Sequence, residues 1–386
     1  MVYVALFMVA IFMGGIKSNV VTFGADQFTH ASENAKQSFF NWFYFSINVG
    51  SMISFTAIAY LQSYDFVIGL GVPALVMFVS AIFFFLGSSW YNKFPPAGST
   101  LSKILSILYY CFTASPDIKR DAPSFLDRAK HVKNIQGFML FEEEEVDDVK
   151  SLVRLLPIFS TFIINWCLYA QMSSVMLIQG VVMRLEIFPN FSIPPATLQA
   201  FNSAGILILL PLFDRVIYPC LRRLSISFSP LRRIGIGYLF STLAIFYAGG
   251  LEVWRISYLR DGNVLTQHIN GVPTEAANLS VLYQIPAFLG IGIGEVFASV
   301  TGLEFAYSQA PSKMKSMVQA INMLTIALGN YFGTLVVFIV NAASAPHPWI
   351  TDDPNESHMD LYFFTLTVLG ILNIYYFIWL SSKWSD

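Results

Sequence analysis

The sequence predicts an all-α polytopic membrane protein with about nine transmembrane helices. Of its 386 residues, 55% are hydrophobic and only 12% are charged, whereas roughly 25% are charged in an ordinary soluble domain. The apolar residues also cluster in runs of about 20, the length that crosses a bilayer. This balance excludes a soluble enzyme and a disordered chain. A net charge of −2 excludes a basic surface for nucleic acid.

Nine apolar segments carry this prediction. They are 2–23, 39–62, 66–91, 152–179, 197–219, 234–253, 283–308, 316–342 and 360–381. One polar stretch, 93–148, interrupts them and holds seven Lys/Arg and nine Asp/Glu. The predicted domains are therefore a three-helix remainder of an N-terminal bundle in 1–92, a linker in 93–148 and a six-helix bundle in 149–386. A run at 104–113 is too short to span and is predicted to be amphipathic or interfacial.

Charged loops predict the orientation. Basic residues concentrate in 93–148, in the loop at 220–233 and in the loop at 309–316. Since cytosolic loops carry the excess of Lys and Arg, 93–148 and the C-terminus are predicted to be cytosolic. The intervening loops contain three N-x-S/T sequons, which are candidate glycosylation sites. They are Asn190, Asn278 and Asn355.

Ionisable side chains within the spans are the best sequence pointers to function, because each is costly in a bilayer. They are Lys17, Arg154, Asp214, Glu295 and Glu304. They could be structural pairs that fix helix register, or groups that bind and move a cargo. On a continuous α-helix, Glu295 and Glu304 would point to opposite faces because they are nine residues apart. The glycines just before Glu295 predict close helix packing.

The second and fourth spans are rich in polar and aromatic residues, including Tyr44, Asn48, Trp166, Tyr169 and Gln171. Such clusters either form hydrogen bonds between helices or line a water-filled cavity that suits a zwitterionic organic solute. The sequence shows no hydrolytic constellation, no H-E-x-x-H spacing and no paired cysteine motif. We therefore expect no catalytic residues, no metal and no cofactor.

Four sequence patterns connect these residues to a known family. The run Phe40-Asn-Trp-Phe-Tyr-Phe-Ser-Ile-Asn48-Val-Gly50-Ser-Met52 resembles a signature of the proton-dependent oligopeptide transporters. The segments Gly14-Gly15-Ile-Lys17 and Phe23-Gly24-Ala-Asp26-Gln27-Phe28 resemble the fourth helix of that family and the loop after it. The Trp166-x-x-Tyr169-x-Gln171 pattern is most similar to the peptide/histidine branch of solute carrier family 15.

The resemblance implies a major facilitator superfamily fold and proton-coupled symport of di- and tripeptides or histidine across a lipid bilayer. The substrate-binding residues that it implies are Tyr44, Asn48, Trp166, Tyr169, Gln171, Asn202 and Glu295. Proton coupling would involve Lys17, Glu295 and Glu304, and Arg154 with Asp214 would form a gating pair. Glu295 would hold the amino terminus of the ligand.

The chain also departs from the family pattern. If Lys17 lies on helix four, the spans correspond to helices 4–12 and the fold is truncated to about nine helices. No E-x-x-E-R motif, which the family carries on its first helix, occurs in the sequence. Two alternatives to a peptide symporter therefore stay open: a non-transporting protein that associates with a relative, and a transporter of another small anion such as nitrate. The sequence does not distinguish the plasma membrane from the endolysosomal membrane.

Overall fold

The structure is a computed structural model that describes residues 2–28, 32–93, 99–115, 118, 122–133, 139–189, 191–223, 229–269, 272–311 and 313–384. In the first part of the chain the α-helices are α1 Val2–Asp26, α2 Glu33–Ile53, α3 Ala59–Tyr64, α4 Phe66–Leu86, α5 Thr100–Thr113, α6 Glu143–Ala170 and α7 Val175–Val181. The later helices are α8 Gln199–Leu212, α9 Tyr218–Arg223, α10 Pro230–Arg260, α11 Ile285–Glu295, α12 Thr301–Gln309, α13 Lys315–Ala343 and α14 Met359–Lys383.

Within these residues, nine helical segments are long and apolar enough to cross a membrane, which confirms the predicted spans. They are Tyr3–Asp26, Ser38–Gln62, Val67–Ser89, Glu143–Val181, Pro195–Ile217, Pro230–Arg260, Val281–Gln309, Lys315–Ala343 and Met359–Lys383. Three spans contain a π-helical turn, at Ser54–Ile58, Phe213–Ile217 and Val296–Val300. Such turns are rare and are frequent at functional sites.

The chain forms two compact units. The first comprises Met1–His30, Asn92–Ser160 and Leu303–Leu324, and the second comprises Ala31–Tyr91, Thr161–Gly302 and Thr325–Asp386. These units group the chain differently from the predicted division at 92/93 and 148/149, which stays a prediction.

In the first unit, the amphipathic segment predicted at 104–113 is helix α5. Its inner face buries Ile104, Ile107 and Cys111, and the Cys111 thiol donates to the carbonyl of Leu126 at 3.6 Å. A charged cluster joins this region to the start of α6. Lys103 binds Glu145, Lys150 binds Asp127, and Lys130 lies 2.8 Å from Asp147. The acidic run that the sequence placed in a linker therefore begins helix α6.

The core of the second unit lies among α6, α7, α10, α11 and α14. The loops of this unit also contain strands, which the sequence analysis did not predict. They are β1 Met183–Arg184, β2 Glu186–Phe188, β3 Phe191–Ser192, β4 Val264–Ile269 and β5 Val272–Ser280. β4 pairs antiparallel with β5, whose other edge pairs in parallel with β1, and β2 pairs antiparallel with β3.

Candidate functional site

Glu295 is the centre of the candidate site in the second unit. It ends α11, directly before the π-helical turn Val296–Val300, and only 6% of it is exposed. The Tyr44 hydroxyl of α2 donates to Oε1. The Asn202 amide of α8 donates to Oε2 at 3.3 Å. The structure thus brings together three residues that the sequence predicted separately, across more than 250 positions.

Two glycines explain how α11 comes so close to its neighbours. A Cβ on Gly292 would lie 3.2 Å from the carbonyl oxygen of Asn202 and 3.3 Å from its amide nitrogen. A Cβ on Gly294 would lie 2.9 Å from the carbonyl oxygen of Gly237 and would overlap the Ser241 hydroxyl. The glycine run therefore serves close helix packing, as predicted. It also lets Asn202 reach the carboxylate one turn away.

Tyr44 and Asn48 share one buried face of α2, since they are four residues apart. The Asn48 amide donates to the carbonyl of Tyr44 at 3.0 Å, within its own helix. Asn41, one turn earlier, is also buried. Helix α2 packs against α8, so this polar face explains how Tyr44 reaches the same place as Asn202.

An aromatic pair on α6 lies beside the carboxylate. The rings of Trp166 and Tyr169 make an edge-to-face contact at 5.2 Å, a favoured geometry for aromatic pairs. The Tyr169 hydroxyl lies within electrostatic range of the Glu295 carboxylate. The side chain of the predicted residue Gln171 instead forms hydrogen bonds with residues that are near it in sequence. Its amide donates to the carbonyl of Cys167 at 2.8 Å, and its amide oxygen accepts from Ser174 at 3.3 Å.

The other predicted site residues are placed as follows. Lys17 is exposed on α1, Arg154 is exposed on α6, and Glu304 is half-buried on α12; all three belong to the first unit. The side chain of Asp214 lies outside the described residues, so the gating pair stays a prediction. Sequon Asn190 also lies outside them.

The two remaining sequons use their side-chain amides in contacts within the second unit. Asn278 accepts from Arg184 at 3.0 Å and donates to Asn263 at 3.0 Å. Asn355 accepts from Arg255 at 2.7 Å and donates to the carbonyl of Glu275 at 2.9 Å. Glycosylation of these residues stays a prediction.

Sequence reasoning missed a second buried charge site, Glu252 with Arg255. Both side chains are fully buried, and Arg255 Nη2 lies 2.6 Å from Glu252 Oε1. Gln179 donates to Glu252 at 2.8 Å, and Gln284 donates to Gln179 at 2.8 Å. The predicted sixth span ends at 253 and leaves Arg255 among loop residues, whereas helix α10 continues to Arg260. The i, i+3 spacing of opposite charges was the signal that could have found this pair.

Comparison with known proteins agrees with this architecture. The model of the POT family matches residues 1–350. Protein NRT1/PTR FAMILY 8.1 of Arabidopsis thaliana is 34% identical over 99% of this chain and 73% of its own length. Solute carrier family 15 member 3 of Mus musculus is 32% identical over 99% of this chain and 69% of its own length.

A solved structure of a proton dependent oligopeptide (POT) family transporter is similar in fold and in sequence. It superposes with a TM-score of 0.64 at 26% identity and covers 97% of this chain and 78% of its own. The family model, the relatives and the solved structure agree over nearly the whole chain. The protein belongs to the POT family.

Proposed function

We propose that the chain is a proton-coupled symporter of di- and tripeptides or of histidine, working by alternating access. One observation carries the proposal: the Glu295 carboxylate is buried within a span, where Tyr44 and Asn202 hold both its oxygens. Both contacts are neutral donors, so they orient the carboxylate without cancelling its charge. A ligand ammonium fits such a group, because a charge-assisted hydrogen bond is roughly twice as strong as a neutral one.

The surrounding side chains suit a peptide-like ligand. Trp166 and Tyr169 offer ring surface for a ligand side chain. Asn202 and Asn48 offer their amide oxygens for its backbone N–H groups, because their amide nitrogens already donate to Glu295 and to the carbonyl of Tyr44. Gln171 is retained as a binding residue only through the family resemblance, since its amide is already bonded within its own helix.

The proton-coupling groups are proposed to be Glu295, Glu304 and Lys17. Protonation of Glu295 removes the charge that holds the ammonium, so the proton and the ligand bind this residue alternately. Symport then requires Glu304 or Lys17 to take part in holding the proton while the ligand occupies Glu295. The proton and the ligand then shift the protein between two arrangements of the bundle if each binds more tightly to one arrangement than to the other. Arg154 and Asp214 are proposed as the pair whose making and breaking accompanies that change.

Similarity supports this cargo and this coupling. The solved neighbour at 26% identity is described as a proton dependent oligopeptide transporter. We also propose the peptide/histidine branch, on the Trp166-x-x-Tyr169-x-Gln171 pattern and the likeness to solute carrier family 15 member 3. We further propose that the protein lies in the plasma membrane or the endolysosomal membrane. Because basic residues concentrate on that side, 93–148 and the C-terminus would face the cytosol, with glycans on the opposite side.

The test uses vesicles that contain the purified protein, with an inward proton gradient imposed. It measures their uptake of a labelled dipeptide and of labelled histidine. Glu295→Gln should abolish uptake while leaving the amount of inserted protein unchanged. Glu356→Gln, in an exposed loop, is the matched control and should transport as the wild type does. Equal uptake by Glu295→Gln and wild type would refute the proposal.

The same assay decides between the alternatives. A buried carboxylate at the centre of the site disfavours an anionic cargo, because two like charges would be held together in a poorly screened place. Uptake of nitrate in place of peptide would reverse this conclusion. Insertion without uptake of any of these solutes would favour the non-transporting protein that associates with a relative.

A further inference from the structure

Two adjacent polar groups on α6 are buried without a hydrogen-bond partner among the described residues. They are the side-chain oxygen of Asn165 and the indole N–H of Trp166. Asn165 is 4% exposed and Trp166 is 9% exposed. Buried polar groups in proteins are nearly always paired, so each exception calls for an explanation, such as a ligand that completes the site.

The residues one turn before and one turn after Asn165 on α6 show where side-chain hydrogen bonds within the fold end and the candidate site begins. One turn earlier, the hydroxyl of Thr161 lies 2.9 Å from that of Tyr238, and its carbonyl accepts from the amide of Asn373 at 3.0 Å. One turn later, Tyr169 contacts the Trp166 ring and lies near Glu295. The unpaired groups thus begin where α6 approaches the candidate site.

The chemistry of the two groups is complementary. An indole nitrogen can only donate, and the amide oxygen of asparagine can only accept. A peptide bond presents one N–H and one C=O, so it would satisfy both groups. Nitrate presents no donor, and free histidine contains no peptide bond.

We propose that Asn165 accepts a hydrogen bond from the peptide N–H of the ligand and that the Trp166 indole donates to its C=O, so that this turn of α6 selects peptides over free amino acids. The inference rests on the proposed function, because it concerns the ligand that Glu295 binds. Asn165 is thereby a specificity-determining residue that the sequence analysis did not place in the site.

The test compares binding of two ligands to the purified full chain in detergent. One is dialanine, and the other is its ester analogue, in which an oxygen replaces the peptide N–H. The wild type should bind the amide about tenfold more tightly, because the ester leaves the Asn165 oxygen unpaired. Asn165→Leu should weaken binding of dialanine about tenfold and leave the ester nearly unchanged, so that the preference disappears.

Two further variants separate the two groups and control for folding. Trp166→Phe keeps the ring and removes the N–H, so it should weaken amide and ester equally and preserve their ratio. Asn373→Leu removes a buried asparagine whose amide is already bonded to Thr161. It should lower thermal stability without changing the ratio. If Asn165→Leu does not fold, Asn165→Ala gives the same comparison with a smaller side chain.

The possible failures are distinguishable. A wild type that binds dialanine but gives the same amide-to-ester ratio as Asn165→Leu overturns the inference and leaves the proposed function intact. A wild type that binds neither dialanine, nor its ester, nor histidine overturns the proposed function, and the inference with it; one that binds only histidine overturns the inference alone. Binding of free histidine as tight as that of dialanine also contradicts the selection for a peptide bond.

Discussion

The buried pair of Glu252 and Arg255 gives a sharp prediction about stability. Arg255 Nε lies 3.0 Å from Glu252 Oε2 and Nη2 lies 2.6 Å from Oε1, a two-point contact with both side chains excluded from solvent. Arg255 also donates to the Asn355 side chain at 2.7 Å and to the carbonyl of Pro354 at 3.3 Å. One guanidinium thus neutralises a buried carboxylate and fastens a loop to α10.

Replacement of Arg255 by Met keeps much of the volume and removes the charge. It leaves Glu252 ionised and uncompensated, a situation that costs about 3–5 kcal/mol for a buried pair. The lost contacts to Asn355 and Pro354 add to this effect. Arg260→Met is the matched control, since Arg260 is exposed five residues further along the same helix, and surface changes of this kind usually stay within about 0.5 kcal/mol.

The assay is equilibrium unfolding of the purified protein, by titration of SDS into mild-detergent micelles. The double variant Glu252→Leu with Arg255→Met should recover most of the loss, because no charge is then left unpaired. Gln179 would keep its bond to the carbonyl of Ala248 at 3.2 Å. If Arg255→Met costs no more than Arg260→Met, or if the double variant is less stable than the single one, the reasoning is refuted.

Two further predictions concern packing and pH. Gly294→Ala should destabilise the protein by about 1–3 kcal/mol, because its Cβ would meet the backbone of α10; Gly250→Ala, with nothing within 4 Å, should be neutral or stabilising in the same titration. Hydrogen bonds from Lys150 and Ser124 hold the pKa of Asp127 below its usual range. The carboxylate therefore stabilises its surroundings fully above about pH 4, the unfolded pKa, and this contribution is lost as pH falls through the lowered folded-state pKa. Amide exchange in 122–133 should accelerate over that window, and Asp127→Asn should show fast exchange at neutral pH; equal protection in both proteins at pH 7 would contradict this.

Sequence alone predicted the spans well because the signal is long. About 20 apolar residues are needed to cross a bilayer, and a run of that length stands out from any soluble segment. The ends of the spans were less predictable. Average hydropathy falls at Glu252 and Arg255, so the predicted sixth span ends at 253, although the two charges cancel on one helix face and α10 continues.

The β-hairpin was missed for a different reason. Because an all-α protein was expected, no secondary structure was predicted for the polar segment after Arg260. Yet Val264–Ile269 alternates exposed and half-buried residues, as a strand does. The sequence Asn270-Gly271 that follows is the strongest short-range hairpin signal; these two residues lie outside the described ones. The angular argument about Glu295 and Glu304 also assumed one continuous α-helix. The π-helical turn Val296–Val300 between them breaks that periodicity.

Among the described residues of the second unit, the buried carboxylates of Glu252 and Glu295 show why only one of them points to function. Glu252 has a guanidinium against it, so its charge is compensated within the fold. Among the described residues, Glu295 has only the neutral donors Tyr44 and Asn202. A buried charge without a counter-ion is retained against a cost, and either a proton or a cationic ligand group relieves that cost. The feature that makes Glu295 costly to bury therefore favours its binding of a proton or of an ammonium group, which agrees with the place proposed for it in the transport cycle.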